Sequence, residues 1–238
     1  MQIASVVGVS TPAVPFAKAQ PDQVLALGTR IIGVSPDYST TAGVCNPGGA
    51  GLLYVKAEDT FDTGRLVHVS KDWVISDVPD TAATGRPFFV CVSSFTSTNA
   101  YGWVAYSGIV PIQASAASSA AALYIGAAGQ CKSAQVNGKQ LVGAYGLIAT
   151  TGSFTQTVTT RTGSYQVKCE SLAGVFVGQT VSGTGIPAST EISDIDLGGR
   201  IITINNAATA SGTVTGTFTN TGFVVAHIES PFVQGQVA

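Results

Sequence analysis

The side chains in this sequence that could perform chemistry are few and lie far apart. The two histidines are His68 and His227, and neither has a serine or cysteine nucleophile beside it in a recognisable motif. His68 lies in the alternating stretch RLVHVS, residues 65–70, and a lone histidine in such a strand is usually structural. The histidines therefore predict no catalytic residue.

The four cysteines are widely and irregularly spaced: Cys45, Cys91, Cys131 and Cys169. None of them belongs to a C-x-x-C pair, and two histidines are too few to make a zinc site with them. We expect no metal site and no cofactor. Disulfides stay an alternative, but the apolar strand around Cys91 favours reduced thiols in a protein made in a cytoplasm.

Two acidic segments have a superficial likeness to functional sites. The segment Asp194-x-Asp196-x-Gly198 resembles the beginning of a calcium loop, but the distal bidentate glutamate is missing. The three acids of EDTFDTG, residues 58–64, could form a glycosidase-like cluster, although on a turn such acids are typical of a solvated loop. We therefore expect a protein that is not an enzyme. A secreted β-sandwich enzyme, with a site assembled only by folding, stays an alternative.

The composition indicates a β-rich protein with an unusually uncharged surface. Charged residues make up 10% of the 238 residues, whereas roughly 25% is usual in a soluble domain. Glycine, serine, threonine, alanine and valine fill the remainder, which favours strands and turns. A surface with so little charge is typical of a protein that packs against its own copies or a larger assembly.

The distribution of charge and hydrophobicity also limits the partners. The net charge is −2 and no basic cluster occurs, so we expect no nucleic-acid partner and no anionic membrane surface. Residues 1–19 lack a basic start and contain Pro12 and Pro15, which argues against a secretory signal. The apolar tract 114–129 is too weakly hydrophobic to span a bilayer.

The stretch from Phe88 to Ile112 predicts two strands of a tightly curled sheet. Residues 88–92 are apolar on both faces, as in a strand that is buried on at least one side. After a polar loop, the second strand contains Gly102 and Gly108, which indicate a bulge or a close approach of backbones. We predict an all-β protein with a β-barrel or β-tulip core domain.

The order of patterns along the chain predicts one domain inserted into another. Residues 1–27, interrupted by three prolines, read as an extended N-terminal arm. Residues 28–152 plus 222–238 form the predicted core β-barrel domain. Residues 153–221 are rich in threonine, serine and glycine, and their five short strands predict a small inserted β-sandwich of the Ig-like kind.

Three pairings follow from this organisation. The similar segments Gly152–Thr155 and Gly216–Thr219 should pair, which would bring the ends of the insert together. The strand Phe223–Ile228 should lie next to Leu141–Ala149 and so complete the core domain. The turn Leu197-Gly198-Gly199 should join two strands as a hairpin.

Several segments resemble the capsid decoration (cement) proteins of tailed bacteriophages. They are GLLYVKAEDTFDTGRLVHV at 51–69, Tyr101-Gly102-Trp103-Val104, Leu123-Tyr124, Leu141-Val142-Gly143 and HIESPFVQGQ at 227–236. The resemblance covers roughly residues 25–150 and 222–238 and rests on the pattern and order of segments. Residues 175–188 (VFVGQTVSGTGIPA) and 201–208 (IITINNAA) resemble a module of phage head-fibre and tail proteins.

The resemblance implies a structural protein of the virion. Such proteins bind the major capsid protein on the outer surface of the head, often as a homo-oligomeric trimer at local threefold positions, and their terminal arms often bridge capsomers. The chain would be made in the host bacterial cytoplasm and would stabilise the head, with a host-surface contact through the insert. The alternative is a head-fibre or tail adhesin component that binds a host-surface glycan or receptor.

Overall fold

The computed structural model describes residues 19–33, 50–150, 152–172, 175–196, 199–220 and 222–235. These residues form strands and no helix, which confirms the predicted all-β fold class. The strands are β1 (Arg30–Gly33), β2 (Ala50–Ala57), β3 (Leu66–Val69), β4 (Val74–Asp77), β5 (Phe89–Cys91), β6 (Ala100–Gln113), β7 (Ala122–Ala127), β8 (Gln130–Lys132), β9 (Gln140–Ile148), β10 (Ser153–Thr160), β11 (Gln166–Cys169), β12 (Thr180–Gly183), β13 (Ile186–Asp196), β14 (Ile201–Ile204), β15 (Gly212–Thr219) and β16 (Phe223–Val233).

The described residues group into two compact units. The first, here called the core unit, contains residues 19–33, 50–150 and 222–235. The second, here called the barrel unit, contains the described residues between 152 and 220. Each unit has its own hydrophobic core, and the chain enters and leaves the barrel unit through β10 and β15.

The core unit is built on one strongly curled sheet. Its strands are ordered β1-β2-β4-β3-β5-β6-β16-β9-β7-β8, and β2 pairs in addition with β6. This additional pairing runs over seven residue pairs, from Gly51↔Ser107 to Ala57↔Ala100. The strands β2, β4, β3, β5 and β6 are therefore linked in a closed ring of pairings.

Two hydrophobic clusters lie on opposite faces of the ring strands, because successive side chains of a strand point to opposite sides. On β6, Trp103 and Ala105 belong to the larger cluster, while Val104 belongs to the smaller one. The smaller cluster takes its strand residues from the five ring strands and forms the core of the ring. The larger cluster includes residues of β16, β9 and β7. The apolar character of both faces of residues 88–92 reflects this double packing.

The glycines of β6 act as the sequence predicted. A Cβ atom at Gly102 would lie 2.8 Å from the Ser93 Cβ, so the backbones approach closely there. Gly108 has φ +107, a conformation that side chains rarely adopt, and it follows the register shift between β2 and β6.

The end of the predicted N-terminal arm lies on the core unit, whereas residues 1–18 are outside the described part. The Ala19 amide donates to the Ser94 carbonyl at 2.9 Å. Gln20 and Tyr101 form an isolated bridge with bonds of 2.8 and 2.7 Å. Leu25 and Leu27 pack against the larger hydrophobic cluster.

The predicted pairing of β16 is confirmed. Strand β16 lies between β6 and β9, and the pair His227↔Tyr145 belongs to the β9 ladder. The similar ends of the insert also pair, from Ser153↔Thr219 to Gln156↔Gly216. The strands on either side of the predicted 197–199 turn pair as Asp196↔Ile201, although Leu197 and Gly198 lie outside the described residues.

The barrel unit differs from the predicted two-sheet sandwich because its strands close into one ring, in the order β10-β11-β14-β13-β12-β15. Five strands were predicted, and β10 is the additional strand. It pairs with β15 over eight residues and also with β11 through Val158↔Cys169, which closes the sheet. Phe154 and Phe218 stack at a centroid distance of 5.1 Å within the barrel unit.

Candidate functional site

His68 is a buried structural residue of β3, with 2% of its surface exposed. Its Nδ1 atom lies 2.7 Å from the Pro87 carbonyl oxygen. Because a carbonyl can only accept, Nδ1 carries the hydrogen, and the lone pair of the neutral ring is on Nε2. Burial lowers the pKa of His68 from its ordinary value of 6.5; the bond to Pro87 opposes this effect and the charge of Arg86 adds to it.

The acidic segments do not come together as a site in the described part of the chain. The acids at positions 58, 59 and 62 are exposed, and Glu58 pairs with Lys56 at 3.4 Å. Asp194 and Asp196 are exposed on β13 and belong to its ladder with β14. Among the described residues, no group of three or more histidine, cysteine or acidic side chains could hold a metal ion.

Three of the four cysteines are free, buried thiols, and Cys45 lies outside the described residues. Each of the three belongs to a different hydrophobic cluster: Cys131 to the larger cluster of the core unit, Cys91 to the smaller one, and Cys169 to the barrel unit. Burial raises the pKa of Cys131 and of Cys169 to about 12, and raises that of Cys91 well above its ordinary value. These thiols are packing residues without nucleophilic character at neutral pH.

The feature best suited to binding is a row of side chains, without acids, lysines or arginines, across β7, β9, β16 and β6. The register aligns Ala122, Tyr145, His227 and Ile109, and paired residues of neighbouring strands point to the same face. We call these four residues together with Leu147 the β9 surface. Tyr145 is 54% exposed and Leu147 is 43% exposed, so one face of β9 presents two large apolar side chains two residues apart.

Leu147 lies two residues after Tyr145 on β9, at a β-bulge. The β9 ladder with β16 contains the pairs Val225↔Ile148 and Ala226↔Gly146, so Leu147 has no partner opposite it. Side chains two residues apart on a strand point to the same face, and residues 144 to 147 alternate between buried and exposed. Leu147 therefore adds a second large apolar side chain to the face that carries Tyr145.

Tyr145 and Leu147 were not predicted from the sequence as binding residues, although the sequence contains a pattern that is typical of an interface. In LVGAYGLI, residues 141–148, large apolar side chains occupy both alternating sets of positions. Leu141 and Ala144 are buried in the larger cluster, whereas Tyr145 and Leu147 are on the exposed side. Apolar residues on both faces indicate either double burial or an interface, and only the structure distinguishes the two.

The barrel unit carries a polar groove of about 290 Å³ on its surface, lined by Thr157, Thr159, Lys168, Cys169 and Glu170. Strands β10 and β11 pair there through Val158↔Cys169 and Thr159↔Lys168, and the Glu170 amide donates to the Thr157 carbonyl at 3.0 Å. The hydroxyl, ammonium and carboxylate groups on this rim could bond a hydroxyl-rich molecule. Cys169 is 2% exposed and presents little surface to the groove.

Among the described residues, neither histidine lies in a recognisable nucleophile motif. The candidate binding features of these residues are the β9 surface and the groove. Among these residues, no helix has the length and apolar character needed to cross a membrane. Compared with protein-family models, curated proteins and solved structures, the chain matches none of them.

Proposed function

We propose that this chain is a decoration protein of a tailed-phage head, which binds the outer surface of the capsid and stabilises it. The observation that carries the proposal is the β9 surface, which presents two large exposed apolar side chains, those of Tyr145 and Leu147. Exposed apolar groups of this kind contribute to affinity when a partner buries them. The low charge of the chain and its resemblance to cement proteins support the same role.

The proposed mechanism is binding without turnover. The major capsid protein would bury the β9 surface, and each chain would act within a homotrimer on the outside of a virion assembled in the bacterial cytoplasm. Many identical contacts on one lattice raise the overall affinity far above that of a single contact. The proposed partners include no nucleic acid and no membrane, and the proposal requires neither catalysis nor a cofactor.

The test is co-sedimentation with expanded phage heads that lack this protein, using a variant that carries Tyr145→Ser and Leu147→Ser. We expect its affinity for heads to fall by about tenfold or more, the equivalent of at least about 1.4 kcal/mol. Tyr165→Ser is the matched control, because Tyr165 is also 54% exposed but lies in the barrel unit. Equal binding by the double variant and the native chain would contradict the role of the β9 surface.

The alternative function, a head-fibre or tail adhesin component, is favoured by the groove of the barrel unit. Its rim combines the Thr157 and Thr159 hydroxyls with the charged groups of Lys168 and Glu170, which suits a host-surface glycan. If purified chain failed to bind heads but bound host cells, and Lys168→Ala removed that binding, the adhesin function would replace the decoration function.

A further inference from the structure

Residues 84–88 of the core unit run beside the end of β16, and we call them the latch segment. The Phe88 amide donates to the Pro231 carbonyl at 3.1 Å, and the Val233 amide donates to the Arg86 carbonyl at 3.0 Å. Isolated bridges join Thr84 to Gly235 and Pro87 to Phe232. The latch segment thus attaches the last part of β16 to the core unit.

His68 holds the latch segment from β3. Its Nδ1–H donates to the Pro87 carbonyl at 2.7 Å, one residue from each of the two amide bonds to β16. The other ring nitrogen, Nε2, is buried and has no hydrogen-bond partner among the described residues. The neutral ring therefore suits this position, since a bare lone pair costs less than an unpaired charged N–H.

Among the described residues, none of the charged groups that act on His68 is negative. The latch segment contributes the Arg86 guanidinium, which repels a second cation. On β4, the neutral Ser76 lies opposite His68, and the neighbouring Asp77 accepts two bonds from Arg65 of 2.8 and 2.6 Å. On β5, the paired residues Phe89 and Val90 are neutral, and Cys91 is a buried thiol whose pKa is raised by burial.

We propose that His68 is a proton-operated latch, which holds residues 84–88 against the end of β16 at neutral pH and releases them in mild acid. A proton can enter only at Nε2, because Nδ1 already carries one. The resulting imidazolium requires a hydrogen-bond acceptor or water, and opening of the latch segment exposes the ring to water. Acid would therefore free the end of β16 while the rest of the core unit stays folded.

The direction of the pH effect follows from the lowered pKa of His68. The open state takes up a proton near the ordinary pKa of 6.5, whereas the closed state takes it up only at lower pH. About one pH unit or more above 6.5, both states are almost entirely unprotonated and the latch has its full stability. Below that value, the opening equilibrium constant rises by up to about tenfold per pH unit, until the closed state is protonated too.

The test is amide hydrogen exchange of the full chain at pH 7 and pH 5, corrected for the intrinsic pH dependence of exchange. The reporters are the Phe88 and Val233 amides, and the Ile125 amide, which donates to the Lys139 carbonyl at 2.9 Å, is the internal control. We expect protection of both reporters to fall by about tenfold or more in acid while Ile125 keeps its protection.

Two substitutions distinguish the latch from general acid sensitivity. His68→Asn keeps an N–H near the position of Nδ1 but cannot take up a proton, so we expect its reporters to be equally protected at both pH values. His227→Asn removes the exposed histidine of β16 and should leave the native response unchanged. Three results would each overturn the proposal. They are unchanged protection of the reporters in acid in the native chain, an equal loss of protection in the His68→Asn variant, and a simultaneous loss of protection at Ile125.

If the His68→Asn variant does not fold, measurements on the native chain alone still test the proposal. Its two histidines can be titrated separately by NMR, since His68 is buried and His227 is exposed. The proposal requires that reporter protection falls as the pH drops below 6.5 and levels off at the pH where NMR shows His68 protonated in the folded chain. Loss that begins only after His68 is fully protonated, or that continues unchanged below that pH, would contradict it.

Discussion

At the scale of single residues, the groups capable of chemistry are used mainly for packing. The thiols of Cys91, Cys131 and Cys169 lie one in each hydrophobic cluster, where burial keeps them protonated. His68 is likewise buried, with one nitrogen bonded to a backbone carbonyl. Burial excludes both water and reaction partners from these side chains. They therefore contribute to stability and not to reactivity.

The thiols provide a prediction at this scale. At pH 8 a thiol with a pKa of about 12 is ionised in only about one molecule in 10,000, so Cys131 and Cys169 should resist iodoacetamide in the folded chain. Cys91 should resist as well. Peptide mass spectrometry after timed labelling measures each site, and the unfolded chain, where all should react, is the control. Rapid labelling of Cys169 in the folded protein would show that the groove exposes it.

At the scale of elements, the β9–β16 pair depends on one glycine. Gly143 has φ +76, and a Cβ atom there would lie 2.6 Å from the Glu229 carbonyl oxygen. The β16 ladder shifts its register there, between Ile228 and Phe232. A side chain at position 143 would therefore meet backbone atoms that cannot move without disturbing the ladder.

Gly143→Ala should destabilise the core unit more than Gly222→Ala does, by about 1–3 kcal/mol. Gly222 is a matched control because its φ is +77 and a Cβ there would meet nothing within 4 Å. Both variants carry the same left-handed backbone strain, so the difference isolates the steric contact. Urea unfolding followed by tryptophan fluorescence measures this difference, and equal losses in the two variants would show that the Glu229 carbonyl does not restrict position 143.

The sequence predicted those parts of the fold that depend on local pattern. The like segments Gly152–Thr155 and Gly216–Thr219 pair as expected, and Phe223–Ile228 lies beside β9. The closure of the barrel unit was not predicted, because a strand such as Ser153–Thr160 has the same alternating pattern in a sandwich and in a barrel. Which strands meet across the closure depends on long-range pairing, which alternation does not encode.

The candidate site was less predictable than the fold. The exposure of Tyr145 and Leu147 depends on which neighbours cover their face of the sheet. The role of His68 was predicted as structural, but its contact with Pro87 joins residues 19 positions apart in sequence. Such contacts arise from tertiary structure, so the sequence indicates the residue types without the arrangement.

At the scale of the whole molecule, the two units have separate cores, and the chain leaves the barrel unit next to where it enters it. The Asn220 amide donates to the Gly152 carbonyl at 2.9 Å, so the two ends are adjacent. A segment with adjacent ends and its own core can be removed with little strain on the remainder.

Deletion of residues 153–221, with Gly152 joined to Gly222, should therefore leave a folded core unit. Both tryptophans of the chain, Trp73 and Trp103, lie in the core unit, so their fluorescence reports on that unit in the full and the shortened chain alike. We expect the two thermal transitions to agree within about 5 °C, a shift equivalent to roughly 1 kcal/mol. An insoluble or unfolded shortened chain would contradict the independence of the core unit.

The most direct test of the proposed function is the number of copies that purified chain adds to expanded phage heads lacking it. Binding is measured by co-sedimentation over a range of chain concentrations. We expect saturation at a fixed number of copies set by the capsid lattice, with three copies per site for the proposed trimer. Absence of saturable binding to heads would contradict the decoration function.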